Sequence, residues 1–154
     1  MAKGFKFKLQ SVLDLKFDIE EEEKRKLADV MQLQEREEQK LMSMQARQAQ
    51  LIAELKKKQG EGAINITELQ MYARGIEKLK NDIIGQQLRL KEVAIMLDEQ
   101  RKRLITATQE RKIYEKLKEK QQQAFKEEEE YKEKLLIDEL ATLKYAKVKP
   151  KEEQ

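Results

Sequence analysis

The chain has no cysteine, no histidine and no tryptophan, and only one proline and five glycines in 154 residues. Without cysteine there is no disulfide framework and no thiolate to act as nucleophile or ligand. The added absence of histidine removes most zinc sites and the Ser-His and Cys-His catalytic arrangements. Aromatic residues make up 5% of the chain, which is poor material for strands. Gly60-Glu61-Gly62 lacks the Lys-Ser/Thr that would make a phosphate loop. Long apolar runs are missing too: the longest, Val93 to Leu97, falls far short of the ~20 residues needed to span a bilayer. The segment holding Lys3, Lys6 and Lys8 lacks the apolar stretch of roughly 7–15 residues found in a secretion signal. A cytoplasmic protein without direct membrane insertion is expected.

Charge of a single sign is also lacking. Lysine and arginine number 33 and aspartate and glutamate 30, for a net charge of +3. Arg101-Lys102-Arg103 and the terminal lysines could meet phosphates, but acidic runs flank them and no basic-region pattern is present. Nucleic acid is not an expected partner. Glu20 to Glu23 and Glu127 to Glu130 are continuous runs that wrap around a helix. Catalytic carboxylate pairs need a concave, partly dry site, and none is expected here. No enzymatic activity, metal or cofactor is predicted.

What the chain does have is a heptad repeat. Leu69, Ile76, Ile83, Leu90, Leu97 and Leu104 recur every seven residues. Three residues on stand Tyr72, Leu79, Gln86, Val93, Gln100 and Ala107. Such a pattern keeps one seam of a helix against a partner helix. A weaker stripe precedes it: Leu13, Leu27, Leu41 and Leu55 alternate with Glu20, Gln34 and Gln48, and Val30, Met44 and Leu51 supply a second row.

The first stripe fades at Lys56-Lys57-Lys58, before the helix terminators Gly60 and Gly62. Asn65 with Glu68, or Thr67 with Gln70, can cap the next helix, a better reading of Asn65-Ile66-Thr67 than a glycosylation site. Ser11 with Asp14 resembles a capping box for the first helix. Only about seven residues link the helices, which favours an antiparallel hairpin.

The predicted fold is therefore all-α, an antiparallel two-helix coiled-coil hairpin with a longer C-terminal helix. Helix one covers about 7–58, the turn about 59–65 and helix two about 66–147, with a basic disordered tail at 148–154; the whole is read as a single hairpin domain. In such a hairpin position i faces roughly 124 − i, so helix one ends opposite about residues 113–119. The seam fails there as well, at Arg111 and Lys118. About thirty helical residues should extend beyond the coil. Glu37 and Glu38 should lie near Gln86 and Gln87 in a hydrated polar layer. Gly75 and Gly85 read as tolerated helix glycines rather than points of close approach by a partner.

Several short motifs carry a resemblance. Phe5-x-Phe7-x-Leu9-Gln10-x-Val12-Leu13-Asp14 opens the chain. Lys112-x-x-Glu115-Lys116-Leu117, Glu128-Glu129-x-Tyr131-x-Glu133-Lys134 and Asp138-Glu139-x-Ala141 follow near its end. Taken with the length and the hairpin layout, the chain resembles the FliJ family, a soluble component of the bacterial flagellar type III export apparatus. The resemblance implies an architecture similar to a rotary ATPase central stalk and a place at the centre of the export ATPase hexamer. It implies further contacts with the membrane export gate protein and with export chaperones of late substrates, hence peripheral association with the inner face of the cell membrane.

On that basis ring contacts are expected at Phe5, Phe7, Leu9, Leu13, Leu117, Tyr131, Asp138, Glu139 and Ala141. Leu9 and Leu13 serve equally well as seam packing, and Tyr72 reads as packing before gate contact. The isolated protein is expected to be a monomer. Three alternatives compete: the equivalent stalk of an injectisome secretion system, a general self-associating scaffold, and a substrate-escort chaperone.

Overall fold

The computed structural model describes residues 4–62 and 64–152, with side chains described as far as Lys147. Two helices account for nearly all of it: α1 (Gln10–Gly60, 51 residues) and α2 (Ile66–Glu152, 87 residues). No strand occurs among the described residues. The fold is the expected all-α hairpin of two long helices packed against each other.

The helix ends follow local chemistry. At the start of α1 the Leu13 amide donates to the Leu9 carbonyl at 2.9 Å and the Gln10 amide to the Phe7 carbonyl at 3.1 Å. The predicted Ser11–Asp14 capping box does not form. Helix entry at Gln10 places Ser11 inside the first turn, and the Gln10 side chain takes Asp14, its Nε2 lying 2.8 Å from Oδ1. At the far end the Glu61 amide reaches the Lys57 carbonyl at 3.1 Å. Gly62 adopts a φ of 68°, the left-handed conformation that ends a helix and that glycine tolerates best. Of the two candidate starts for α2, Asn65 is the one used. Its Oδ1 accepts from the Glu68 amide at 2.8 Å, and its carbonyl receives the first helical bond, from Leu69.

α2 continues to Glu152, past the residue near 147 where the sequence reading ends it. No glycine follows Gly85 to interrupt the helix, and Pro150 falls within its last turn. The expected disordered tail is therefore helical as far as Glu152, and residues 153–154 lie outside the described residues.

The packing divides into two compact units, Glu20–Ala107 and Met1–Ile19 with Thr108–Gln154. In the unit Glu20–Ala107 the helices run antiparallel. Glu54 meets Tyr72, Glu37 meets Gln86 and Glu23 meets Gln100, each near the partner that the short link dictates. The heptad rows form the seam. Ile83, Val93, Leu97 and Ala107 of α2 are buried, Val93 completely, and Leu27, Val30, Leu41, Met44 and Leu51 of α1 are half-buried opposite this thin core.

In the other unit α1 and α2 are again antiparallel. Lys16 Nζ lies 3.0 Å from Glu110 Oε2, and Leu13 is 2% exposed. Arg111, expected to end the seam, instead holds its guanidinium 5.3 Å from the Phe17 ring centroid and pairs with Glu115 at 2.5 Å. The pairing also outlasts the predicted limit near residues 113–119, because Phe5 stacks on Phe125 with centroids 5.8 Å apart. Residues 4–7 are not helical, and non-helical chain can rise about 3.3 Å per residue against 1.5 Å in a helix, so few residues cover a long stretch of α2.

Candidate partner-binding surface

The residues marked out by the sequence fall into three groups. Phe7 and Leu13 are buried, at 8% and 2% exposed, within the hairpin's own packing. Leu13 thus acts as a seam residue. Phe5 and Leu117 are half-buried, and Phe5 borders a groove of about 640 Å³ with Phe125 and Glu129. Leu9, Tyr131, Asp138, Glu139 and Ala141 are exposed.

Tyr72 occupies different ground, in the unit Glu20–Ala107. It is half-buried, and its hydroxyl donates to Glu54 Oε2 at 3.3 Å. The Lys58 ammonium lies 5.2 Å from its ring centroid. Tyr72 and the nearby Glu68 carboxylate raise the Lys58 pKa above its ordinary value. Met71 beside it is 68% exposed, and a groove of about 530 Å³ runs past Leu51, Met71, Tyr72 and Gly75. A Cβ on Gly75 would meet only Leu51 Cδ1, at 3.5 Å, and one on Gly85 would meet nothing within 4 Å. Neither glycine is required by packing inside the chain.

Among the described residues the largest run of exposed apolar side chains lies in the last part of α2. Every residue from 131 to 147 is exposed, including Leu135, Leu136, Ile137, Leu140 and Leu143. Successive residues of a helix point about 100° apart, so Leu135, Leu136 and Ile137 face three directions. A helix apolar on several sides is the kind that a surrounding protein buries. The signal was present in the sequence as aliphatic residues continuing after the heptad rows had stopped.

Among the described residues no group of three or more acidic, histidine or cysteine side chains is arranged to hold a metal. Among the same described residues no helix is long and apolar enough to cross a membrane. Both grooves set a few apolar side chains among charged and amide ones: Phe5 and Phe125 beside Lys126 and Glu129 in one, Leu51, Met71 and Tyr72 beside Lys58 and Glu68 in the other.

Fold and surface together define a coiled-coil hairpin protein with an exposed apolar helical arm. The family model described as Flagellar FliJ protein matches residues 5–149, and the chain belongs to the FliJ family. It is thereby a component of the flagellar protein export apparatus. No curated protein and no solved structure matches it.

Proposed function

We propose that the chain is a non-catalytic, central-stalk-like component that promotes assembly of the export ATPase hexamer and couples it to the membrane export gate protein. In this reading the C-terminal arm of α2 enters the ring. Tyr131, Asp138, Glu139 and Ala141 make contacts there together with Leu135, Leu136, Leu140 and Leu143, while Phe5, Leu9 and Leu117 border the approach. Tyr72 and its groove serve the gate, and the flanks of the hairpin receive chaperones of late substrates. The protein works in the cytoplasm at the inner face of the membrane.

One observation carries the reading. Residues 131–147 are helical and entirely exposed although five of them are Leu or Ile. Exposed apolar surface of this extent is costly in water unless a partner covers it.

The test is to add the full chain to its export ATPase and measure ring formation and ATP hydrolysis. Both should rise with the parent and fail to rise with Leu136→Asp/Leu140→Asp. No co-sedimentation with the ATPase, or equal stimulation by this variant, overturns the reading. Sedimentation equilibrium of the chain alone separates it from a self-associating scaffold, which would form stable dimers at micromolar concentration.

A further inference from the structure

The apolar rows of the seam are poor at specifying a register. Leu69, Ile76, Ile83, Leu90, Leu97 and Leu104 repeat one chemical type every seven residues. Along this row of α2 a one-heptad slip exchanges aliphatic for aliphatic, and the facing row of α1, where Leu27, Leu41 and Leu55 alternate with Glu20, Gln34 and Gln48, repeats itself at two heptads. The same rows would also accept a second copy of α2. Something else in the unit must distinguish the native pairing.

Two polar layers do so. Gln86 Nε2 donates to the Glu37 carbonyl at 2.9 Å and to Glu37 Oε2 at 2.5 Å. Gln100 repeats the arrangement on Glu23, donating to its carbonyl at 3.2 Å and also to its carboxylate Oε2. Gln86, Gln100 and Glu37 are buried, at 9%, 6% and 7% exposed. The two glutamines stand fourteen residues apart on α2, and the two glutamates fourteen apart on α1. Only one offset fills both layers.

We propose that these layers are the element that makes α1 pair with α2 in a single register and discourages pairing with a second chain. A one-heptad slip sets Gln86 against Met44 or Val30 and Gln100 against Val30 or Lys16, and turns both glutamates toward Ala, Val or Leu. The buried amides then lose their partners, and the carboxylates keep only Lys26 and Lys40 of their own helix, which is costly for groups turned into the seam. A two-heptad slip keeps one layer and sets the other glutamine against Leu51 or Leu9. Parallel, in-register pairing of α1 with a second α1 would bring Glu23 and Glu37 against their own copies, like charge on like charge. A polar residue at a seam position that fixes register and partner number at some cost in stability is an established device in coiled coils. Here it is doubled and asymmetric: acceptors lie on one helix and donors on the other.

The experiment compares the full chain with Glu23→Leu/Glu37→Leu/Gln86→Leu/Gln100→Leu. Spin labels are placed on cysteines introduced at the exposed positions Glu38 and Gln87, the only thiols in a chain that has none. The four-leucine variant should melt at higher temperature than the parent. It should also sediment as dimers or larger species at micromolar concentrations where the parent is one species, and its single label-to-label distance should broaden into several. Glu37→Gln leaves an oxygen for Gln86 to reach and should keep the parent's sedimentation and distance. The proposal is overturned by a four-leucine variant that stays monomeric with the parent's single distance, by a parent that associates as strongly as the variant, or by a Glu37→Gln chain that loses the single distance.

Discussion

Two stretches of the same helix carry comparable aliphatic residues and meet opposite fates. Between residues 83 and 107 of α2, Ile83, Val93, Leu97 and Ala107 are buried; between 131 and 147, no residue is. Composition does not separate them, and neither does spacing alone. The first stretch sets apolar residues three and four apart on one face, which a single neighbouring helix can cover, and leaves Ile84, Ile95 and Met96 exposed beside it. In the second, Leu136, Leu140 and Leu143 keep the same four-and-three spacing, but α1 begins at Gln10 and its Lys16 already faces Glu110, so α1 has nothing to lay against them. Burial in a hairpin is decided by what lies opposite as much as by hydrophobicity, and the aliphatics left out of the seam form the most conspicuous surface the chain offers.

Alanine substitution should break this comparison most visibly. Leu97→Ala removes a residue 5% exposed and should cost about 2–5 kcal/mol of folding stability by thermal or denaturant unfolding. Leu140→Ala, at a site 58% exposed, should change stability by no more than about 0.5 kcal/mol. On the proposed function it should nevertheless weaken binding to the export ATPase. Equal stability losses at the two sites would show that the arm is packed in solution and would remove the contrast.

Smaller effects sharpen the picture within the buried stretch. Gln100→Ala removes the amide donor shared by the Glu23 carbonyl and carboxylate, leaving the carboxylate only Lys26, and should cost about 1–3 kcal/mol, read from the shift in denaturation midpoint. Asn65→Ala removes the cap of α2 and should cost about 1 kcal/mol. Gly85→Ala should gain about 1 kcal/mol, because helix propensity improves and the added methyl meets nothing within 4 Å.

The smallest effect is a pH dependence at the Glu37–Gln86 layer. Hydrogen bonding from Gln86, aided by the Lys40 charge and opposed by burial, holds the Glu37 carboxyl below its ordinary pKa. A carboxyl lowered by folding stabilises the folded state fully above its unfolded value. That contribution is lost as the pH falls through the lowered, folded value. Melting temperature measured from neutral pH down through the carboxylate range should therefore fall less steeply for Gln86→Leu than for the parent.

Much of the fold was legible because it rests on local rules. The heptad rows named the buried face of α2 down to Val93 and Leu97, and Gly62 and Asn65 marked the ends of the link. Ser11 is a misleading cap because its capping value depends on the helix starting two residues later than it does, a difference that propensity does not resolve. By charge alone Arg111 reads as the end of the seam, but its flat guanidinium lies well against an aromatic ring such as Phe17. The Glu37–Gln86 layer was anticipated as a hydrated gap shared with Glu38 and Gln87. Those two are exposed, and Glu37 and Gln86 meet directly. Its counterpart at Glu23 and Gln100 went unread, since one member is an unremarkable glutamate in an acidic run.

The candidate surface was legible only in outline. Terminal motifs pointed to Phe5, Phe7, Leu9 and Leu13 as a set, but sequence similarity cannot tell which side chains a fold turns inward. Phe7 and Leu13 are inside and Leu9 is outside. Local sequence was enough for the two helices, the place where they are joined and the face of each that seeks a partner, because periodicity, caps and glycines act over a few residues. Tertiary structure alone decided which polar residues at the seam found each other, how far Phe5 reaches along α2, and which apolar residues stayed in water. Each of those outcomes depends on what lies opposite, and that is set by residues tens of positions away along the chain.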